Sequence, residues 1–500
     1  MNRSPRNRSA AIRSRLASSL DLLHALKRSQ DSATATVANR AYETERTDET
    51  LPPQSPPFLA DLPPVGAEYI PQQHATKTLK TIIDENYYAT NFEEAIKIVS
   101  AQKIPELDRI KTLNQFYYYV DALVTWIPEI RVWKWDGETL HERTVYLRIT
   151  QFYYYFNQPQ LEALQSPIAP IEEDRLSPLS NWLRAFAVEW GNFLDTPASK
   201  QYLESFKYAP EYAWQDYEKE PQDYETFNAY FARQFKDIDV QRPVASENDD
   251  RVVVFPAEST FVGQWPVSTP VGEPLPAAPS IVVKNIEWSI AELLKDSEYA
   301  ADFEGGIFCH SFLNTYDYHR QHTPVAGKVL EAKFIPGQVY LQVDLQEQDE
   351  SDENGNVARA VIPQRYLNAE DPTGYQFVQC RGLLVLDSAI GKVAVLPMGM
   401  AQVSSVVFVT PKDEGHKPIT LSPAETRELS YHEQVVRVNQ KINQELVGKT
   451  LKKGEMFSYF QFGGSDCVVV FERKANVNVS AQVNTHYPIR SQYAFANVNQ

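Results

Sequence analysis

The stretch Phe460-Gln461-Phe462-Gly463-Gly464-Ser465-Asp466-Cys467 runs directly into the apolar segment Val468-Val469-Val470-Phe471. Aromatic and β-branched residues favour strands, so this pattern predicts two strands joined by a Gly-Gly-Ser turn. The two glycines allow backbone conformations that other residues avoid, which makes a strained peptide bond before Ser465 feasible. The Ser465 hydroxyl could then attack the Gly464 carbonyl and convert the amide into an ester. The alternative is an ordinary hairpin turn.

The composition is that of an acidic globular protein. Of the 500 residues, 43% are hydrophobic and 23% are charged, which is enough for two or three domains with buried cores. The formal net charge of −17 would repel phosphate backbones, so nucleic acid is excluded as a partner. Cys309, Cys380 and Cys467 form no disulfide framework, which is typical of a reducing compartment. No apolar run suits a membrane helix or a signal peptide, so we expect a cytoplasmic protein.

Residues 1–66 differ from the rest and are predicted to be a disordered basic tail followed by a Pro-rich linker. Within residues 1–30, seven lysines and arginines stand against the single acid Asp21. This composition resembles an organellar transit peptide, and it would also suit peripheral contact with an anionic membrane. A solvated tail is the simpler interpretation.

Residues 67–244 have the pattern of a helical domain. Apolar residues recur at helical spacing over 92–99 and from 107 to 124, and a last amphipathic helix is expected over 227–235. Ser180 is placed to cap a further helix. The Tyr-rich stripes on these helices are expected to be core.

Residues 245–500 are expected to form a mainly β domain. Short β-rich runs alternate with Gly and Pro at 252–255, 281–283, 339–341, 383–386 and 392–396. One helix is expected over 290–294, and residues 346–356 read as a solvated acidic loop. The fold class is therefore α+β, with an N-terminal helical domain followed by a mainly β catalytic domain.

Two histidines and one glutamate are the residues best suited to proton transfer. His319 and His322 lie three residues apart just before a Pro and a Gly, and histidine moves protons near neutral pH. Glu258 follows an apolar strand and could orient a histidine, as the acid of a Ser-His-acid arrangement does. Structural histidines and a surface glutamate are the simpler alternatives. A metal site needs more ligands than this His-x-x-His pair, so we expect no metal.

These stretches, in this order, resemble the phosphatidylserine decarboxylase family over roughly residues 225–475. The resemblance rests on Phe227-Asn228-Ala229-Tyr230-Phe231 with Arg242-Pro243, Pro256-Ala257-Glu258, Tyr318 to Gly327, Pro336-Gly337, Val395 to Met400 with Val403-Ser404-Ser405, and Lys453-Gly454-Glu455 through Ser465. Two motifs depart from the family. Its usual Pro-Ala-Asp-Gly is Pro-Ala-Glu-Ser here, and its Leu-Gly-Ser-Thr is Gly-Gly-Ser-Asp. Both changes, with the long helical N-terminal region, resemble a soluble branch typified by fungal tryptophan decarboxylase.

The resemblance implies a pyruvoyl-dependent carboxy-lyase that is made as a proenzyme. The chain would cut itself between Gly464 and Ser465, with His322 as the base and Glu258 orienting His322. Ester formation and β-elimination would convert Ser465 into a pyruvoyl group, so no PLP is expected. Residues 1–464 and 465–500 would stay together as β and α chains. The pyruvoyl group would form a Schiff base with the substrate amine, and His319 is the candidate proton donor after CO2 leaves.

Three functions remain open. Conversion of a free L-amino acid, aromatic or not, to its amine is ranked first because the chain is acidic and the two motif changes point toward the soluble branch. Conversion of phosphatidylserine to phosphatidylethanolamine in phospholipid biosynthesis is the alternative, and it would need peripheral membrane contact. A homologue that does not cleave itself and acts as a binding or scaffold protein is the third. The sequence leaves the oligomeric state open.

Overall fold

The computed structural model describes residues 51–498, apart from 136–137, 169–174, 269–279, 284–285, 348–364, 370–372, 400–405 and 463–464. The predicted basic tail, Val403-Ser404-Ser405, most of the acidic loop and the Gly463-Gly464 pair lie outside the described residues. From Pro53 onward the chain forms one compact unit that holds both the helical and the β-rich regions. The predicted domain boundary at residues 244 and 245 stays a prediction.

The N-terminal region is mainly helical, as its apolar periodicity predicts. Its elements are α1 (His74–Glu85), α2 (Ala89–Ala101), α3 (Leu113–Val124), the antiparallel strands β1 (Arg131–Trp135) and β2 (Glu138–Glu142), α4 (Thr144–Phe156), α5 (Pro159–Glu162) and α6 (Pro178–Leu194). The helices pack through aromatic rings: Phe152 and Phe186 stack at 4.4 Å, and Phe116 and Tyr155 meet edge to face at 4.9 Å. The Tyr-rich stripes are therefore core, as expected.

Two details of the helical region differ from the prediction. The continuous helix expected from 107 to 124 is split into a 3₁₀ turn, Leu107–Arg109, and α3. The split occurs because Thr112 has an extended backbone and caps α3 with its side chain. Helix α6 is capped by Ser177 and not by Ser180, because a proline follows Ser177 and suits the first helical position.

Short turns connect the helical and β-rich regions. They comprise the 3₁₀ turns Pro197–Lys200, Leu203–Tyr208, Pro210–Tyr212, Trp214–Asp216 and Pro221–Asp223, followed by α7 (Phe227–Phe231) and α8 (Ile238–Gln241). The helix predicted over 227–235 ends at Phe231, because Phe235 instead forms a β-bridge with Tyr217.

The C-terminal region is mainly β. Its strands are β3 (Val252–Val254), β4 (Ser259–Pro266), β5 (Ser280–Val283), β6 (Ile286–Ser289), β7 (Ile307–Leu313), β8 (Arg320–His322), β9 (Gly327–Ile335), β10 (Asp344–Glu347), β11 (Arg365–Asn368), β12 (Cys380–Ser388), β13 (Gly391–Gly399), β14 (Val406–Phe408), β15 (Thr450–Leu451), β16 (Met456–Phe460), β17 (Ser465–Phe471), β18 (Val477–Val479), β19 (Thr485–Tyr487) and β20 (Gln492–Ala496). The helical elements among them are α9 (Ile290–Leu294), α10 (Pro423–Glu428), α11 (Tyr431–Leu446) and the 3₁₀ turns Ala300–Phe303, Tyr375–Phe377, Lys412–Glu414 and Arg473–Ala475. In the described part of the chain, every helix is too short or too polar to cross a bilayer.

An antiparallel eight-stranded sheet forms the centre of this region, in the order β15-β9-β12-β13-β17-β7-β4-β19. Smaller sheets have the orders β14-β16-β8, β18-β20-β3, β5-β6 and β10-β11. Four of the five predicted β runs are strands, and the predicted helix over 290–294 is α9. The strand predicted over 339–341 is wrong, because pairing there is limited to a bridge between Gln338 and Gln379.

The two strands that flank the Gly-Gly-Ser stretch belong to different sheets. Strand β16 is the middle strand of β14-β16-β8, whereas β17 lies between β13 and β7 in the eight-stranded sheet. The two predicted strands are confirmed, but they do not pair with each other, so the ordinary hairpin is wrong. The chain therefore passes from one sheet to another between Phe460 and Ser465. Because β16 pairs with β8, this connection brings the sheet that contains β8 next in sequence to the start of β17.

Strand β17 is buried on its core face. Its Val468 and Val470 pack in an apolar cluster with Leu383, Leu396 and, from α9, Leu293. Full burial of one such side chain stabilises the fold by about 2 kcal/mol. The start of β17 is therefore anchored by the core of the molecule.

Candidate active site

The backbone of Ser465 lies at one end of the eight-stranded sheet, which we call the Ser465 end. Ser465 is opposite Gly399 on β13 and opposite Leu313 on β7. Both neighbouring strands hold the residue in register, so the main chain is fixed where the predicted cleavage would leave a new terminus. Gly464, on the other side of that bond, is outside the described residues.

Glu258 comes immediately before β4, at the same end of the sheet. Thr260 of β4 is opposite Phe312 of β7, which is opposite Asp466 of β17. Since neighbouring strands are about 4.8 Å apart, the backbone there lies about 10 Å from that of β17. The Glu258 carboxylate is held by Arg242, whose Nε and Nη2 each donate a hydrogen bond of 2.8 Å.

His322 ends β8 and is tied to the segment that carries Glu258. Its backbone N–H donates to the Pro256 carbonyl at 2.8 Å. Its ring Nδ1 is 2.7 Å from the Gly454 carbonyl oxygen, and its Nε2 is 3.3 Å from the Tyr318 hydroxyl. A carbonyl oxygen can only accept, so Nδ1 carries the proton and Nε2 keeps its lone pair.

The His322 ring is neutral at physiological pH. Burial, and next the charge of Arg490, hold its pKa well below the usual range. A neutral imidazole with an unprotonated Nε2 can accept a proton, which is the state that a general base needs.

Gly454 supplies the carbonyl that orients His322. Its φ is +75°, and a Cβ at this position would lie 2.6 Å from Cγ2 of Val244. Only glycine fits this turn without strain. The same carbonyl accepts a second hydrogen bond, 2.9 Å long, from Nε of Arg490.

His319 lies beside the strand that leads into the crossing. The Phe460 N–H donates to its carbonyl oxygen at 2.9 Å, and its fully buried ring stacks on Phe231 with 3.9 Å between centroids. Burial, and next the positive charge of Arg233, lower its pKa to about 3. His319 is therefore neutral near pH 7 in the structure as described.

Phe462 anchors the chain on the near side of the undescribed glycines. Its N–H donates to Oδ1 of Asn228 at 3.1 Å, and its buried ring meets Trp190, Phe227 and Phe231 at 5.2–5.6 Å. The predicted cleavage site is thus bounded by Phe462 on one side and by Ser465 on the other. The aromatic rings also exclude water from this side.

The structure brings some of the predicted site residues together and leaves others apart. Glu258 and the Ser465 backbone share one end of the eight-stranded sheet, whereas His319 and His322 lie beside and on β8, in the smaller sheet whose strand β16 runs toward Ser465. Glu258 contacts Arg242 and makes no hydrogen bond to His322. The contact that orients His322 comes from Gly454. The roles predicted for all four residues, including orientation of His322 by Glu258, stay predictions.

Sequence reasoning missed two partners of His322. Gly454 belongs to a matched motif, but a hydrogen bond to a main-chain carbonyl does not depend on the side chain and so gives no sequence pattern. The glycine itself was the only indication of an unusual backbone at this position. Tyr318, whose hydroxyl donates to Nε2 of His322, belongs to the same Tyr-Asp-Tyr-His stretch as His319. Among the described residues, no cluster of three or more His, Cys, Asp or Glu side chains could hold a metal ion.

Comparison of the sequence with known proteins identifies a family. A family model described as phosphatidylserine decarboxylase matches residues 227–491, which is more than half of the chain. The match includes α7, Arg242, Glu258, both histidines and the whole of β17.

Individual relatives agree with the family model. A phosphatidylserine decarboxylase proenzyme of Fusobacterium nucleatum is 25% identical over 292 residues, covering 58% of this chain and 74% of the relative. A proenzyme of the same name from Shewanella baltica is 26% identical over 321 residues, covering 64% of this chain and 92% of the relative. Phosphatidylserine decarboxylase proenzyme 3 of Schizosaccharomyces pombe is 24% identical over 290 residues, which is 58% of this chain but 23% of that longer protein. On the extent of the family match, this chain belongs to the phosphatidylserine decarboxylase family.

Proposed function

We propose that the chain is a proenzyme that cuts itself between Gly464 and Ser465 and then decarboxylates phosphatidylserine. One observation carries the proposal: a buried, neutral His322 with an unprotonated Nε2 lies on β8, next to β16, and the chain that leaves β16 runs to a serine fixed at the start of a central strand. The sequence ranked a free amino acid first. The relatives favour the alternative, because their names are those of phosphatidylserine decarboxylase proenzymes.

Self-cleavage would use groups that the chain itself provides. Nε2 of His322 takes the hydroxyl proton of Ser465, and the oxygen attacks the carbonyl carbon of Gly464. The C–N bond between the two residues breaks as the ester forms. Elimination of the Gly464 carboxylate leaves a dehydroalanine, which water hydrolyses to a pyruvoyl group and ammonia.

The residues present fit a pyruvoyl group at position 465. After cleavage the α chain, residues 465–500, would begin in the middle of the sheet with β13 and β7 on either side. Phe462 and its aromatic neighbours would still shield that position. The new terminus would therefore stay fixed in a site with little water.

A pyruvoyl group would supply a carbonyl that reacts with the substrate amine and takes up electrons as CO2 leaves. The chain's own residues bind, shield and supply protons. The aromatic cluster around Phe462 excludes water, which favours loss of a charged carboxylate as neutral CO2. His319 is proposed to return a proton to the carbon that has lost CO2.

The first experiment tests self-cleavage. Purified wild-type protein is expected to run on a denaturing gel as a large fragment and a peptide of about 4 kDa, from 36 residues of average size. Mass spectrometry should find a pyruvoyl group at the start of the peptide. Ser465→Ala should give a single full-length band. An intact wild-type chain would instead support the non-processing homologue.

The second experiment tests the substrate. Release of CO2 is measured on phosphatidylserine vesicles beside the free amino acids, including L-serine and L-tryptophan. We expect release from the vesicles and little from the free amino acids. A processed protein that releases CO2 from an amino acid and not from vesicles would restore the interpretation that the sequence ranked first.

A further inference from the structure

Arg233 differs from the other almost fully buried arginines of the described chain. Arg148 pairs with Glu106 and lacks a partner only at Nε, Arg490 pairs with Asp239, and Arg381 donates to three main-chain carbonyls. Arg233 is 1% exposed and has no carboxylate partner among the described residues. Its Nε and Nη1 have no hydrogen-bond acceptor there either.

The contacts that Arg233 does make leave those donors unused. Its Nη2 donates to the carbonyls of Tyr316 and Asp317, at 2.5 Å and 3.2 Å. The central carbon of the guanidinium lies over the Tyr217 ring, 4.3 Å from its centroid. This cation–π contact supplies no oxygen or nitrogen acceptor to Nε or Nη1. A buried cation with two unsatisfied donor atoms is costly, which points to an anionic ligand.

Arg233 lines a cavity of about 330 Å³. Exposed Asp195, Glu218 and Lys219 are at its rim, while Arg233 and the half-buried Arg320 lie deeper. The cavity lining therefore has three cationic side chains, Lys219, Arg233 and Arg320, against two carboxylates, and both carboxylates belong to exposed residues. The volume suits a polar headgroup and is too small for two acyl chains.

The cavity adjoins the candidate active site. Asn228, which lines it, accepts the N–H of Phe462, and Gln461 lines it as well. Arg233 itself donates to the main chain of the turn that leads to His319. A group bound beside Arg233 would therefore lie next to the residues that frame the predicted cleavage site.

Phosphatidylserine carries two anionic groups that a guanidinium could bind. The carboxylate disappears in the reaction, so a strong ion pair with it would stabilise the starting state and slow the loss of CO2. The phosphodiester keeps its charge throughout and presents paired oxygens that match the fork of an arginine. The phosphodiester is therefore the better partner for a fixed, buried cation.

We propose that the cavity lined by Arg233 binds the phosphodiester of the lipid headgroup, with Arg320 as a second contact, and so selects phosphatidylserine over a free amino acid. This inference rests on the proposed function. It names the group by which the enzyme would recognise its substrate class.

Binding of the phosphodiester has a consequence for His319. The charge of Arg233 is one of the two causes that lower the pKa of this histidine. An anion on Arg233 offsets that charge and raises the pKa of His319 toward its ordinary value. The proposed proton donor thus becomes easier to protonate when the headgroup is in place.

The test uses glycerophosphocholine, which has the phosphodiester but neither a reactive primary amine nor a carboxylate. Its affinity for the processed wild-type protein is measured by calorimetry. Arg233→Gln should weaken it tenfold or more, because a charged hydrogen-bond pair is lost, and Arg233→Lys should give an intermediate loss. KM for phosphatidylserine in mixed micelles should rise by the same factor, with kcat changed much less.

Two further variants guard against a folding artefact. Tyr224→Phe removes a hydroxyl from the cavity lining while it keeps the ring, and we expect binding to weaken severalfold. Tyr155→Phe is the matched control, since it removes a buried tyrosine hydroxyl from the core of the helical region, away from the cavity lining. We expect no change in affinity for the control. Circular dichroism checks that each variant is folded.

The outcomes separate the inference from the proposed function. Unchanged affinity in folded Arg233→Gln would overturn the assignment of the cavity. Wild-type affinity for inorganic phosphate equal to that for glycerophosphocholine would identify a free-anion site and overturn it as well. Release of CO2 from vesicles without any binding of glycerophosphocholine would overturn the headgroup site and leave the proposed function intact. Binding without CO2 release would support the site and contradict the function.

Discussion

Gly454 acts through its backbone alone. Its carbonyl oxygen accepts from Nδ1 of His322 at 2.7 Å and from Nε of Arg490 at 2.9 Å, and its positive φ holds the carbonyl in that direction. By fixing the proton on Nδ1, the carbonyl leaves Nε2 as the basic atom. The side chain of Glu258, which the sequence favoured for this task, is occupied by Arg242.

Gly454→Ala should slow self-cleavage at least tenfold. The added Cβ would meet Val244 at 2.6 Å in a backbone conformation that alanine avoids, so the carbonyl must move away from His322. The fraction of cleaved chain is followed on denaturing gels after synthesis. Gly448→Ala is the matched control, because Gly448 also has a positive φ, of +85°, but its Cβ would meet no atom within 4 Å. Equal processing in the two variants would contradict the orienting role of Gly454.

His322→Gln should leave the chain uncleaved while the protein stays folded. Glutamine can still donate to the Gly454 carbonyl, but it offers no basic nitrogen to Ser465. Mass spectrometry of the purified chain measures the outcome. Abundant cleavage in this variant would refute the assignment of His322 as the base.

At the scale of elements, β17 decides what happens after cleavage. It forms backbone pairs with β13 and with β7 along its whole length, and the later strands β19 and β20 pair with β4 and β3. The small fragment would thus contribute to two sheets of the large one. Cleavage would remove one covalent bond and none of these contacts.

The two fragments are therefore expected to elute together in gel filtration under native conditions. Separation should require a denaturant, because the apolar side chains of β17 are buried in the shared core. Gel filtration followed by a denaturing gel of the peak measures this. Loss of the small peptide in dilute buffer would show that the strands of residues 465–500 do not hold the α chain.

The sequence predicted the elements around the site better than their pairing. Alternation and β-branched content are local properties, so both strands beside the Gly-Gly-Ser stretch and the helix over 290–294 were correct. Assignment of β16 and β17 to different sheets depends on contacts far apart in sequence, which no local pattern contains. The cap of α6 was missed because Ser177 and Ser180 look alike, and only the proline after Ser177 separates them.

The site was predictable in the same partial way. His319, His322 and Glu258 stood in motifs with an order and spacing that indicated the family. Arg242 was part of a matched motif, but its bidentate pairing with Glu258 required the fold. The unsatisfied donors of Arg233 could not be predicted from the sequence, because the property is the lack of a hydrogen-bond acceptor for two of its atoms among the described residues.

At the scale of the whole molecule, buried neutral histidines make the fold sensitive to acid. The folded-state pKa of His319 is about 3, below the ordinary 6.5, and that of His322 is also lowered. Below pH 6.5 the unfolded chain binds a proton at each histidine and the folded chain does not. The free energy of unfolding therefore falls as the pH falls below 6.5. The contribution of the two neutral histidines to stability is fully present only above pH 6.5.

Lowering the pH from 7.5 to 5 should reduce the free energy of unfolding by about 2 kcal/mol through His319 alone, because each pH unit below 6.5 costs about 1.4 kcal/mol. In His319→Gln, the same change of pH should reduce the free energy of unfolding by about 2 kcal/mol less than in wild type, since the variant has no titratable group at this position. Urea unfolding at the two pH values measures the difference. An equal loss in both proteins would mean that His319 does not remain neutral in the folded state.

The position of β17 between β13 and β7 also determines how the protein can be renatured. In the uncut chain, β17 reaches its neighbours as part of one molecule, so refolding is a first-order process. Once cleaved and unfolded, the two pieces must find each other by diffusion, and the high local concentration that the peptide bond provided is gone. Recovery of processed enzyme from denaturant should therefore rise with protein concentration, whereas recovery of the Ser465→Ala chain should not. The uncut precursor is thus the form that can fold at any dilution. Because cleavage is irreversible, each molecule can fold in this way only before it is processed.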